Sequence, residues 1–324
     1  MSTSGSYSFS VTSTDIVRQA MMNIVHFGDN EAPSPSETYD AMVRLNMLCK
    51  QWMGKADFAP GLKTWTRRTG YLFLSGSTGT YQVGPNTGHW TNSFVSPWTA
   101  QYHNSGATTI YVTSVTGIHV GDNFAVQMNA TTTSNSDYFW SIVTAVNTST
   151  LAVTINSGLT SSSSAGSNVF AYTTNAQILL EVEAANLRDQ NGEDVAMTLM
   201  TLPQYASLPS RMDPSNVSDP TGIYIERQLG YNNIFTDVAS TNDITKYLVI
   251  NYMEPIQDFV NPADNPCYPQ EWYLALVWGL TKELCPMYGG AWTALMAKNY
   301  EESITIAQSL NPIKITDFFQ CKDD

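Results

Sequence analysis

Across residues 71–177 the chain carries no lysine and no arginine, and its only acids there are Asp122 and Asp137. The flanks are different material. Residues 1–70 hold seven basic and six acidic groups, and residues 178–324 hold eight basic and twenty acidic groups. A break of this size reads as a domain boundary or an insertion. The middle third must build its surface from Ser, Thr, Asn, Gln and Gly, and its interior from aliphatic and aromatic side chains. At 324 residues the chain is long enough for one large domain or two modest ones. The whole chain carries a formal charge of −13, so wrapping nucleic acid through clustered cations is excluded.

The first third has helical periodicity. Thr14 or Ser13 is expected to cap a helix over 15–27, with Ile16, Val17, Ala20, Met21, Ile24 and Val25 on one stripe and Gly28 as its stop. Ser34-Pro35-Ser36-Glu37 forms a capping box with proline at the first helical position. From it runs a helix with Ala41, Met42, Leu45, Leu48, Cys49, Trp52 and Met53 on one face.

The middle third is β. Short apolar runs at 108–112, 123–128, 140–146, 151–155 and 169–172 recur between Gly, Asn and Ser turns. That pitch predicts a small sandwich or barrel. Ahead of it, 71–74 and 81–83 read as a strand pair around a glycine loop. Behind it, strands are expected at 179–182, 195–202, 223–226 and 247–252, with a polar turn over 187–192. The chain ends in two helices, one after Pro269 and one over 292–310.

Chemistry was sought in the usual constellations. The four cysteines, Cys49, Cys267, Cys285 and Cys321, form no CxxC pair and are expected to be reduced core thiols. His26, His89, His103 and His119 show no HxH or HExxH spacing, so no metal is expected. Gly76 to Gly79 and Gly117 to Gly121 lack the spacing of a phosphate loop and read as turns. Glu301-Glu302 reads as a solvated helix face. No GxSxG elbow occurs. The expectation is a protein with no catalytic residues and no cofactor. Met1 to Ser10 lacks the cationic and apolar regions of a secretory signal, and no run approaches the ~20 apolar residues of a membrane span. The aromatic residues of the β section, Trp90, Trp98, Tyr102, Tyr111, Tyr138, Phe139 and Trp140, suit either core packing or stacking on sugar.

Several segments together resemble a known family. They are Asp15-Ile16-Val17-Arg18-Gln19-Ala20 after Ser8 to Thr12, Leu48-Cys49-Lys50-Gln51-Trp52, and the pair Tyr71 to Leu74 with Gly79 to Pro85. Later come Pro220 to Gln228, Leu248-Val249-Ile250, Pro269-Gln270-Glu271-Trp272 and Tyr288-Gly289. The pattern is similar to the head-to-tail adaptors of short-tailed bacteriophages, also called packaged-DNA stabilisation or head-completion proteins. The resemblance covers roughly 8–90 and 175–310.

It implies an α+β fold: a helical adaptor core with strands over 1–90 and 175–310, an inserted all-β domain of sandwich or barrel type over 91–174, and a C-terminal tail over 311–324. It also implies a structural, non-enzymatic virion protein at the neck, assembled in the host cytoplasm as a homo-dodecameric ring. The implied partners are the portal protein ring and the tail nozzle or tail tube protein, with tail fibres reached through the β insert. Such a ring closes the head after packaging and passes double-stranded DNA at ejection without reading its sequence. Membranes have no part in this. Ile315, Phe318 and Phe319 are the candidate anchors of the portal-docking tail, with packing of Phe318 and Phe319 back on the chain's own last helix as the alternative. Two other readings compete: a carbohydrate-binding or receptor-contact tail protein acting through the aromatic β domain, and a cell-wall hydrolase, which lacks a positioned acid and base.

Overall fold

A computed structural model describes residues 9–24, 32–54, 66–76, 78–130, 137–209, 217–240 and 245–309. The chain contains both helices and several β-sheets, an α+β composition. In chain order the elements begin with α1 (Ser13–Met22), α2 (Pro35–Met53), β1 (Thr66–Phe73), β2 (Thr80–Val83) and β3 (Trp90–Thr91). Then come β4 (Thr109–Tyr111), β5 (Asn123–Gln127), β6 (Tyr138–Asn147), β7 (Ala152–Ile155) and β8 (Val169–Tyr172). Next are β9 (Glu181–Arg188), β10 (Asp194–Ala196), β11 (Thr198–Met200), α3 (Leu202–Ala206), β12 (Val217–Ser218) and β13 (Gly222–Arg227). The chain continues through β14 (Asn232–Thr236), β15 (Ala239–Ser240), β16 (Tyr247–Glu254), α4 (Tyr273–Leu284) and α5 (Ala294–Ser309).

Two compact units result. One joins 1–65 to 256–324, and the other is continuous over 66–255. This division differs from the expected one. The strands on either side of 91–174 group with that section and not with the helices. Backbone pairing explains it: β1 and β16 lie far apart in sequence yet pair along their full length, from Thr66↔Glu254 to Phe73↔Tyr247.

In the helical unit, α4 is the hub on which α1, α2 and α5 pack. Gly279 permits this, because a Cβ there would lie 2.8 Å from both Leu48 and Trp52 of α2. The core gathers Ile16, Val17, Leu45, Trp52, Leu276 and Leu280. Thr12, one or two residues upstream of the expected cap, starts α1. Its side chain accepts the Asp15 N–H at 3.2 Å, while the Asp15 carboxylate accepts the Thr12 N–H at 2.9 Å. That reciprocal pair holds the Asp15 carboxyl below its usual range. Ser34 and Glu37 make the expected capping box on α2. The chain entering α4 is tied to the bundle by Asn46, whose amide bonds both the N–H and the C=O of Phe259 at 2.9 Å. Cys49 lies inside this core, and burial pushes its thiol up to about 11.

The β unit has two parts. In the first, a sheet ordered β10-β9-β16-β1-β3 and a sheet ordered β11-β13-β14-β2 share one core of Leu72, Trp90, Leu187, Ile223, Ile234 and Ile250. The expected hairpin of 71–74 with 81–83 is not formed. β1 pairs with β16 and β3, whereas β2 pairs with β14 in the other sheet. The glycine loop therefore carries the chain from one sheet to the other. The stretch 195–202 likewise divides into β10 and β11, which pair with β9 and β13 in different sheets. Gly70 is a slot for the Trp90 indole, since a Cβ there would fall 2.0 Å from the ring.

The second part is antiparallel, ordered β4-β7-β6-β5-β8. Residues 95–103 join its two edges, bridging Val95↔Ala171 and Trp98↔Asn168 on one side and Thr99↔Val112 on the other. The sheet thus closes into a small barrel filled by Ile110, Val112, Phe124, Val126, Val143, Val153 and Val169. The sequence periodicity located all five of its strands.

Candidate functional site

The section without lysine or arginine concentrates its rings in two places. The first is a seam between the barrel and the two-sheet part. Phe73 sits at its centre, with ring centroids 4.4 Å from Phe170, 5.3 Å from Phe94, 5.4 Å from Trp140 and 6.1 Å from Tyr247. His89 stacks flat on Trp140 at 3.6 Å, and its Nδ1 lies 3.2 Å from the Tyr172 hydroxyl. Burial pushes His89 down to about 4 and raises the Tyr172 phenol, so both are neutral at pH 7. These groups are mortar. Beside the seam, where the chain enters and leaves the barrel, lies an open cleft of about 210 Å³ lined by 91–95, Gly117 and 171–176.

The second place is the outside of the barrel. On the segment 95–103, Thr99 and His103 are buried, while Trp98 and Tyr102 are 43% and 54% exposed. On the neighbouring strand Ile110 and Val112 point inward and Tyr111 is 36% exposed. The Thr113 N–H donates to the Trp98 carbonyl and the Ala100 N–H to the Tyr111 carbonyl, at 2.9 and 2.8 Å. Trp98 and Tyr111 are therefore diagonal neighbours on one outward face; Tyr102, beyond bends at Ala100 and Gln101, is exposed nearby in the chain. His103 supports the face from within: its Nε2 accepts the Tyr111 N–H at 2.9 Å, and the two rings lie within 15° of parallel. Burial lowers the His103 pKa, which keeps that nitrogen an acceptor.

The structure thus sorts the seven aromatic residues singled out from sequence. Trp90 is in the two-sheet core, Tyr138 and Trp140 are in the seam, and Phe139 packs against the barrel interior. Trp98, Tyr102 and Tyr111 remain outside. No known protein family matches the chain, and no curated protein sequence does. Among solved structures, it is similar to the complex of VP16 and VP17, the two major capsid proteins of bacteriophage P23-77. The identity is 13% and the TM-score 0.12, over 59% of this chain and 83% of that one. A likeness at that level carries no argument about function.

Ile315, Phe318 and Phe319 lie outside the described residues, as do His26 and Cys321. His119 is exposed, and its turn is locked by the buried Asp122, whose Oδ2 accepts the His119 N–H at 2.7 Å. Among the described residues no group of three or more His, Cys, Asp or Glu side chains could hold a metal ion, and no helix is long and apolar enough to cross a membrane. Sequence reasoning missed an apolar stripe on the outer face of α2. Tyr39 and Met47 are 68% and 58% exposed, and Val43 between them is half-buried. The spacing i, i+4, i+8 was its signal, masked by the stronger stripe on the opposite face.

Proposed function

We propose that the chain is a structural virion protein, a head-to-tail adaptor that assembles as a ring between portal and tail nozzle, and that it carries out no bond chemistry. The observation that carries this reading is the outer face of α2. A helix that buries Ala41, Leu45, Leu48 and Trp52 on one side would present polar residues on the other in a finished monomer. Here Tyr39, Val43 and Met47 form a second apolar stripe, and Leu274 on α4 and Leu295 and Ile306 on α5 are also exposed. A ring needs such unlike faces on one subunit, because each copy meets its neighbours through two different surfaces. The charge balance supports the same reading. With 28 acids against 15 basic residues, the subunit is poorly suited to grip phosphate and well suited to a conduit through which DNA slides. The resemblance of the flanking segments to phage adaptors points the same way, with the tail 311–324 directed to the portal.

The experiment is co-sedimentation of the full chain with an isolated portal ring. The expected result is a complex that sediments faster than the portal alone. A Tyr39→Ser, Met47→Ser double variant should keep the wild-type unfolding midpoint and lose the complex. Failure of the wild-type chain to co-sediment, or unchanged assembly of a folded double variant, would overturn the reading.

A further inference from the structure

We propose that the outer barrel face bearing Trp98, Tyr111 and Tyr102 binds a neutral polysaccharide chain. Tyrosine and tryptophan offer a flat apolar face with a polar edge, which suits a ligand that is apolar on its ring faces and hydroxylated at its rim. Pyranose rings have that form. Cross-strand diagonal neighbours stand about 7–8 Å apart, so Trp98 and Tyr111 can meet successive sugar units, and the exposed Tyr102 four residues beyond Trp98 offers a third ring. The exposed side chains around them, Gln101, Thr113 and Ser114, exchange hydrogen bonds with hydroxyl groups and carry no charge.

Charge selects among partners. Residues 71–177 contain no cation to pair with a nucleic acid, an anionic glycan or a lipid phosphate, and Asp122, one of their two acids, is buried in the barrel. A protein hot spot of Trp and Tyr is ordinarily accompanied by Arg, which is absent from the section. The face is also rigid. The Thr99 hydroxyl donates to the Ser164 carbonyl at 2.6 Å and accepts the Ser167 N–H at 2.8 Å, and His103 fixes Tyr111 from below. A platform ordered before binding loses little freedom on binding. This site belongs to the β unit, whereas the α2 stripe on which the adaptor reading rests belongs to the helical unit.

The test titrates the full chain with maltohexaose, cellohexaose and chitohexaose, read by tryptophan fluorescence and calorimetry, with hexagalacturonate as the charged control. At least one neutral hexamer should bind, its monosaccharide being about tenfold weaker or worse. Trp98→Ala and Tyr111→Ala should each weaken the hexamer by about tenfold, and Trp98→Phe should retain most of the affinity. Tyr102→Ala, on the most exposed ring, is the variant least able to disturb folding and should also weaken binding. Portal co-sedimentation should be unchanged in Trp98→Ala, which separates this site from the adaptor reading. Three results would each overturn the proposal: no neutral hexamer binding at millimolar concentration, equal binding of hexagalacturonate, or full affinity in the folded Trp98→Ala and Tyr102→Ala variants.

Discussion

The helical unit and the β unit solve the burial problem in opposite ways. The helical unit fills its interior and still leaves Tyr39, Met47, Leu274, Leu295 and Ile306 in solvent. The β unit encloses an aliphatic barrel core and uses a set of rings as an internal joint; Trp98, Tyr102 and Tyr111 are the exposed aromatic part of its surface, beside single aliphatic side chains such as Val120, Val195, Leu202 and Leu229. Apolar surface left outside costs solubility and is informative when it is clustered. On the helices it is distributed over several faces, as subunit packing requires. On the barrel it includes three rings, Trp98, Tyr102 and Tyr111, on segments without lysine or arginine, as a ligand platform requires, alongside the exposed aliphatic side chains of Val120, Ile142 and Leu151. The difference teaches that exposed apolar side chains in this chain have two physical characters, one suited to self-assembly and one to recognition.

The sharpest way to break this contrast is to remove the centre of the seam. Phe73 contacts five other rings and is buried. Phe73→Ala should cost about 3–5 kcal/mol by urea unfolding, the range for a large buried aromatic. If the barrel and the two-sheet part are joined mainly through these rings, the variant should also unfold in two steps. A loss under about 1 kcal/mol would mean that the seam is decoration and the two parts are held otherwise.

Local physics made most elements legible and left their partnerships hidden. The capping box Ser34 to Glu37 and the apolar stripe after it fix α2 from neighbouring residues alone, and the alternating runs between turns fix the barrel strands. The pairing of β1 with β16 depends on residues far apart in sequence, which no periodicity encodes. That is why the 71–83 segment read as a hairpin and proved to span two sheets. β14 escaped for a different reason: Asn232, Asn233 and Thr236 make it polar, and it is apolar only at Ile234 and Phe235. For the site, composition identified the right material but not its sides. Trp90 and Trp98 look alike in sequence, and only tertiary pairing decides that one, beside β1 and over Gly70, is core and the other, on the closing segment 95–103, faces water.

A second way to sharpen the contrast uses acid. The seam contains one titratable ring that is charged near neutrality in an ordinary setting. An unfolded chain protonates His89 near 6.5, whereas the folded chain does so only at about 4, because burial disfavours the cation. Between those values the unfolded state binds the additional proton, so stability falls as pH drops from about 6.5 to about 4. The full loss is at most on the order of 3 kcal/mol. His89→Asn should flatten the slope in that window, leaving the smaller share that His103, also lowered by burial, contributes. Asp15, Asp194 and Asp264, all held below the usual carboxylate range by hydrogen bonds, lose their contributions from about pH 5 downward, equally in both proteins, so the difference between the two profiles reports His89. Urea midpoints measured at intervals from pH 7 to pH 4 decide the matter. Parallel profiles for the two proteins would remove His89 from the account.

The smallest effect tests whether the barrel is as finished as its closed sheet suggests. Leu151, exposed in the turn between β6 and β7, has a φ of 53°, a left-handed conformation that costs a branched side chain about 1–2 kcal/mol. The turn tolerates this because the Asn147 carboxamide accepts the N–H groups of Ser149 and Thr150 at 3.0 and 3.1 Å, while the Leu151 carbonyl accepts the Val112 N–H at 2.9 Å. Those bonds use the backbone and survive replacement of the side chain. Glycine relieves the conformational cost but adds freedom to the unfolded chain, so Leu151→Gly should stabilise by only about 0.5–1 kcal/mol, visible as a small rise in the urea midpoint. A fall instead would show that the exposed leucine packs usefully. Val112 is the inward residue between Tyr111 and Thr113, so a leucine needed there would make this turn a buttress of the aromatic face, and Leu151→Gly would then weaken hexasaccharide binding together with stability.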